Sequence, residues 1–144
     1  MANIAQPAIN TYLKRGTAGS PPSFVTVAQV RSITGPSISG NVVDITTHSA
    51  VDPWRTKIVT LLDAGDVSFE ISFIPTESTH DHSSGLLNDF ESRTLGDWEL
   101  EFPDSPHTTW GFQAYVSKFN VSAPVDGVLT AAITLTITGK PTFA

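Results

Sequence analysis

The sequence predicts a mainly β protein, a β-sandwich or barrel-like fold with one short flanking α-helix. Three observations carry that expectation. Near the C-terminus, Ile133, Leu135 and Ile137 alternate with Thr134, Thr136 and Thr138, the period-two pattern of a half-buried strand. In mid-chain, Val67, Phe69, Ile71 and Phe73 alternate with Ser68, Glu70 and Ser72 in the same way. Between such stretches lie Gly, Pro and Asp-rich turns, and only one segment has helical spacing.

Each element follows in order. Residues Met1 to Ser23 are polar and close on Gly19-Ser20-Pro21-Pro22, so they read as an N-terminal arm, with Ile9, Tyr12 and Leu13 as its anchors. The rest, 24–144, reads as one domain. A strand is expected over Phe24 to Ile33, ending at Gly35-Pro36, and a second over Asn41 to Thr46. Thr47 to Arg55 is a loop whose Trp54 either folds onto the core or meets a partner. Ile58, Leu61 and Leu62 precede the turn Asp63-Ala64-Gly65-Asp66, which feeds the mid-chain strand stopped by Pro75. The helix is expected around Leu86, Leu87 and Phe90, capped by Ser83 or Ser84, with Arg93 near its end. Trp98, Leu100 and Phe102 alternate with Glu99 and Glu101 in a further strand, and Pro103-Asp104-Ser105-Pro106 turns the chain. Trp110 to Val121 places Trp110, Phe112, Ala114 and Val116 on one side, then changes parity near Lys118-Phe119, which predicts a bulge. Pro124 and Asp126-Gly127 form the turn into the closing strand.

Composition limits the function. The 144 residues suit one domain that buries roughly 70 % of its unfolded surface. Only 15 % are charged, a composition that fits an exterior partly covered by copies or partners. A net charge of −6 counts against gripping nucleic acid, which needs Lys and Arg at the phosphates. Without cysteine there are neither disulfides nor thiolate metal sites. No apolar run approaches membrane-spanning length, and no secretion signal is evident, so folding in a cytoplasm is expected and no membrane partner.

Candidate chemistry is sparse. His80-Asp81-His82 could present two imidazoles to a metal, with a third ligand needed from His48 or His107, but it reads better as a solvated lead-in to the helix. Glu99 and Glu101 share one wet strand face, unlike glycosidase acids placed on different elements. There is no nucleophile elbow, P-loop or dinucleotide fingerprint. The expectation is no enzyme, no metal and no cofactor.

Several strings nevertheless align in order: Thr46-Thr47-His48-Ser49, Trp54-Arg55, Leu62-Asp63-Ala64-Gly65-Asp66-Val67-Ser68-Phe69, Gly85-Leu86-Leu87, Phe102-Pro103-Asp104, Trp110 with Phe112, Ser122-Ala123-Pro124-Val125-Asp126-Gly127 and Gly139-Lys140-Pro141. Together they resemble the lambda-type major tail tube protein of long, non-contractile phage tails, from about Ser23 to the C-terminus. The resemblance implies six copies per ring and rings stacked into a hollow tail tube through which phage DNA passes without specific binding. It further implies tape-measure, tail-tip and tail-terminator partners, a place in the virion tail, and host cytoplasm before assembly. The extra immunoglobulin-like domain of some members is not seen, so the bare tube module is expected. On this reading Ile9, Tyr12, Leu13, His48, Trp54 and Arg55 are candidates for contacts between subunits and rings. Glu70, Glu99, Glu101, Thr134 and Thr136 are candidates for the lumen, whose wall is expected to be acidic or neutral. Rival readings are the tube of a contractile tail or a type VI secretion-like system, and a carbohydrate-binding sandwich using Trp54, Trp98 and Trp110.

Overall fold

The computed structural model describes residues 5, 7–16, 24–49, 51–83, 85–104 and 107–143. Nine strands and one helix occur among them: β1 (Tyr12–Gly16), β2 (Phe24–Thr26), β3 (Val30–Thr34), β4 (Ser39–Asp44), β5 (Lys57–Asp63), β6 (Asp66–Ser72), α1 (Leu86–Ser92), β7 (Gly96–Glu101), β8 (Thr109–Ser122) and β9 (Thr130–Phe143). Seven strands form one antiparallel sheet in the order β2-β1-β7-β8-β9-β6-β3, and β4 and β5 form a separate hairpin. The mainly β expectation with a single short helix holds.

Alternation explains the sheet. The inward residues Val67, Phe69 and Ile71 of β6 stand opposite Leu135, Ile133 and Ala131 of β9, and all six are buried. Trp98 and Leu100 of β7 continue that layer through Phe112, Ala114 and Val116 of β8. The sheet bends until β1 and β3, near its two ends, come close without pairing. The expected bulge is present: the β8–β9 register shifts between Val116 and Lys118. Gly65, in the turn before β6, has φ +72°, and a Cβ there would lie 2.2 Å from the Ser37 carbonyl oxygen.

Three local expectations are corrected. Residues 24–33 are two strands, not one, because Gln29 adopts φ +59° and turns the chain. The helix begins after Gly85 with no side-chain cap; Ser83 instead bonds Asp81, and Ser84 lies outside the described residues. The N-terminal stretch is not an arm throughout. Tyr12–Gly16 is strand β1, hydrogen-bonded between β2 and β7, and the side chain of Leu13 is fully buried opposite Leu100. Gly19-Ser20-Pro21-Pro22, Ser105 and Pro106 lie outside the described residues.

The helix lies against β8 and is tied to β1 by a bidentate ion pair, Arg15 Nε to Asp89 Oδ2 at 2.5 Å and Nη2 to Oδ1 at 2.7 Å. Leu86 supplies its buried contact, while Phe90 remains exposed.

Candidate functional site

The most exposed apolar feature is the β4–β5 hairpin, which has no core of its own. Every described residue from 39 to 63 is exposed. Its apolar residues fall on both faces: Val42 opposes Val59 on one, Val43 opposes Ile58 on the other, and Leu61 and Leu62 follow consecutively. A one-sided strand alternates; doubled apolar residues cannot. An isolated two-stranded ribbon is marginally stable in water, and such a continuous apolar surface marks an interaction site.

The neck of the hairpin is nevertheless built. Asp44 Oδ1 accepts from the backbone N–H of Thr46 at 2.9 Å and from its hydroxyl at 2.6 Å, while Arg55 Nη1 reaches Asp44 Oδ2 at 3.2 Å. Thr46 Oγ1 in turn accepts the N–H of Thr56 at 2.7 Å. These bonds, led by that of the Thr46 side chain, hold the Asp44 carboxyl below its ordinary 3.8. The loop beyond the neck presents Val51, 97 % exposed, and Trp54, 79 % exposed. His48, Trp54 and Arg55 are all exposed on the loop that joins β4 to β5, where Arg55 also clamps the neck. Of the strands behind them, β4 was expected over Asn41 to Thr46, whereas β5 was missed, with Leu61-Leu62 as the available signal.

The other candidates separate. Ile9 is exposed in a turn and Tyr12 half-exposed beside it, its hydroxyl 3.4 Å from Asn10 Oδ1. Leu13 is core, so it belongs to the subunit's own packing and not to a contact surface. The three tryptophans share no groove, because Trp98 is buried in the core and Trp54 stands on the hairpin tip. His80 and His82 do not converge. His80 is fully buried, with Nδ1 accepting from the Ile74 N–H at 3.3 Å and Nε2 2.7 Å from the Ala28 carbonyl oxygen, whereas His82 contacts Glu91 outside. The lead-in to the helix is thus partly core, not solvated throughout.

Glu70, Glu99, Glu101, Thr134 and Thr136 all lie on the solvent face of the seven-stranded sheet, alternating with buried neighbours. Asp66 and Asp97 join them, against Lys14, Arg31, Lys118 and Lys140, so the face has an acidic excess of one. Glu101 pairs with Lys14 at 3.0 Å and Glu70 with Arg31 at 3.5 Å. Thr136 Oγ1 donates to Ser117 Oγ at 2.9 Å, which donates to the Thr134 carbonyl oxygen at 3.1 Å. The face is mainly polar, with half-exposed Tyr115 opposite Thr136.

On the concave side, β8 and β9 run past the start of β6 and leave an apolar hollow of about 580 Å³. Ile33, Leu100, Phe102 and Trp110 form its walls. Trp110 is held edge-on between Phe102 and Phe143, with ring centroids 5.0 and 4.9 Å away. No helix among the described residues is long and apolar enough to cross a membrane.

These features match known proteins. A family model described as lambda phage tail tube protein matches residues 11–144. The fold is similar to a chain in the C6-symmetric tail of an empty gene transfer agent particle, with a TM-score of 0.77, 15 % identity, and coverage of 97 % of this chain and 99 % of that one. A chain from the virion of a native gene transfer agent particle gives a TM-score of 0.74 at 15 % identity, covering 97 % and 99 %. A chain from the sheath/tube terminator structure of an extracellular contractile injection system gives 0.74 at 11 % identity, covering 100 % and 99 %. At these identities the structural likeness shows the fold alone. No curated protein matches the chain in sequence.

Proposed function

Since the chain belongs to the lambda phage tail tube protein family and is a structural tube subunit, we propose that six copies close into a ring and that rings stack into the hollow tail of a long-tailed, non-contractile phage. The carrying observation is the hairpin with apolar residues on both faces and every described residue exposed. Burial of that ribbon between copies supplies the association energy. The C6 symmetry of the similar gene transfer agent tail supports the ring size. His48, Trp54 and Arg55 on the β4–β5 loop, with Ile9 and Tyr12, make contacts between subunits or rings. The subunit has no catalytic role and needs no cofactor. It waits in the host cytoplasm, is templated by the tail tip and tape-measure protein, is closed off by the terminator, and ends in the virion tail.

The solvent face of the sheet becomes the bore. Duplex DNA carries about one negative charge per 1.7 Å of axis, and a basic wall would hold it at many phosphates. A weakly acidic wall repels it over a Debye length of roughly 8 Å, so the genome passes unbound. Glu99→Lys with Glu101→Lys should leave tubes intact and slow DNA delivery in infection; normal delivery would remove those residues from the bore. The second reading, a sheathed tube, draws on the likeness to contractile injection system chains; a sheath around native tails in micrographs would favour it. Electron microscopy of the concentrated protein, seeded with completed tail tips, tests the whole reading. Hollow six-fold tubes are expected, and persistent single subunits would overturn it.

A further inference from the structure

The tip of the hairpin and the concave hollow are complementary, and we propose that Trp54 of one copy seats in the Phe102–Trp110 hollow of a neighbouring copy. This rests on the tube reading and adds the receptor for the tip. An indole offers a large apolar body and one N–H donor that needs an acceptor when buried. The hollow offers apolar walls from Ile33, Leu100, Phe102 and Trp110 and, among the described residues, a single charged group, Asp104. That carboxylate is fixed in place, accepting the Thr108 N–H at 2.7 Å and the Thr108 hydroxyl at 2.6 Å. These bonds also hold its pKa below the ordinary 3.8, so it is an ionised acceptor at neutral pH. Arg55, beside Trp54, stays 77 % exposed despite its contact with Asp44 and carries the positive charge that complements Asp104.

The volume of about 580 Å³ lies within the range of ligand-sized clefts, so an indole has room there. A subunit cannot fill its own hollow in this way. The hairpin leaves the body just after Gly35, itself a lining residue, and its strands carry the tip roughly 17 Å from that root. On the tube reading, the tip that reaches the hollow is that of a second copy. A contact between unlike surfaces propagates from copy to copy, closing a ring or extending a stack.

The chain has no cysteine, which makes cross-linking a direct test. Copies carrying Pro53→Cys or Arg55→Cys are mixed with copies carrying Thr108→Cys, assembled and oxidised. Disulfide-linked dimers joining the two kinds of copy are expected in tubes and not in unassembled protein. Intact tubes without a cross-link from either tip position would overturn the proposal and leave the tube reading standing; failure of the unaltered protein to form tubes would sink that reading first. A mutant cycle provides a second readout. Trp54→Ala should raise the critical concentration for assembly roughly thirtyfold, as loss of an interface hot spot does. Asp104→Asn should raise it several-fold alone and add little to Trp54→Ala, whereas fully additive effects would contradict the contact.

Discussion

The seven-stranded sheet and the β4–β5 hairpin use the same residues, Val, Ile and Leu, to opposite ends. In β6 and β9 those residues alternate with Ser, Thr and Glu, so one face is buried inside the subunit and the other remains wet. In the hairpin they are doubled, so both faces are apolar and neither is covered. The sheet finishes its burial by folding; on the proposed reading the hairpin finishes it by association. Under that proposal, a chain divided in this way folds by its sheet and polymerises by its hairpin.

Substitutions in the two regions should therefore separate stability from assembly. The largest effect is expected on the hairpin. Val59→Glu with Leu61→Glu should abolish tubes in micrographs while changing unfolding free energy by only about 0.5 kcal/mol, as exposed substitutions do. A large loss of monomer stability would instead make the hairpin part of the core. Next, Leu135→Ala in the sheet should cost about 3 kcal/mol in a denaturant melt, because it opens a cavity at a fully buried position. Asp89→Ala should cost about 2 kcal/mol by leaving Arg15, 17 % exposed, without its partner; the figure is set below that of a fully buried pair. No change there would mean that the helix is held by Leu86 alone.

The smallest effect concerns pH at the hairpin neck. Asp44 is held below its ordinary value by bonds to its charged form, so its contribution is complete above about 3.8 and is lost as pH falls through the lower folded-state value. Amide signals of Thr46 and Thr56 should stay unchanged from neutral pH to about 4 and shift only below 3.8. A change near pH 6 would point to a different group.

How much of this was legible follows from range along the chain. The alternation of Val67, Phe69 and Ile71 and of Ile133, Leu135 and Ile137 is local, and it placed two central strands. The parity break at Lys118-Phe119 is local too, and it located the bulge. Strand β1 was not legible, because Tyr12-Leu13-Lys14-Arg15-Gly16 has one inward apolar residue and its cations find partners far away. Lys14 meets Glu101 and Arg15 meets Asp89, 87 and 74 residues distant. His80 looked solvated for the same reason, since the Ala28 carbonyl beside it is 52 residues away. The left-handed Gln29 that splits β2 from β3 has no residue-type signal. At the candidate site, the tip with Trp54 was visible as an aromatic on a polar loop. Of its supporting strands, β4 was read from Asn41 to Thr46, while β5 showed only the pair Leu61-Leu62, whose meaning emerged once both faces were seen to be bare. The hollow draws Ile33, Leu100 and Trp110 from three strands and needed the sheet's curvature to exist.

Hydrogen exchange, compared between free subunits and assembled tubes, probes the division between the two regions most directly. Amides of β6, β8 and β9 should be protected in both states. Those of β4 and β5 should exchange fast in the free subunit and become protected in tubes. A hairpin already protected when free, or still exchanging fast in tubes, would contradict completion of its burial by neighbouring copies.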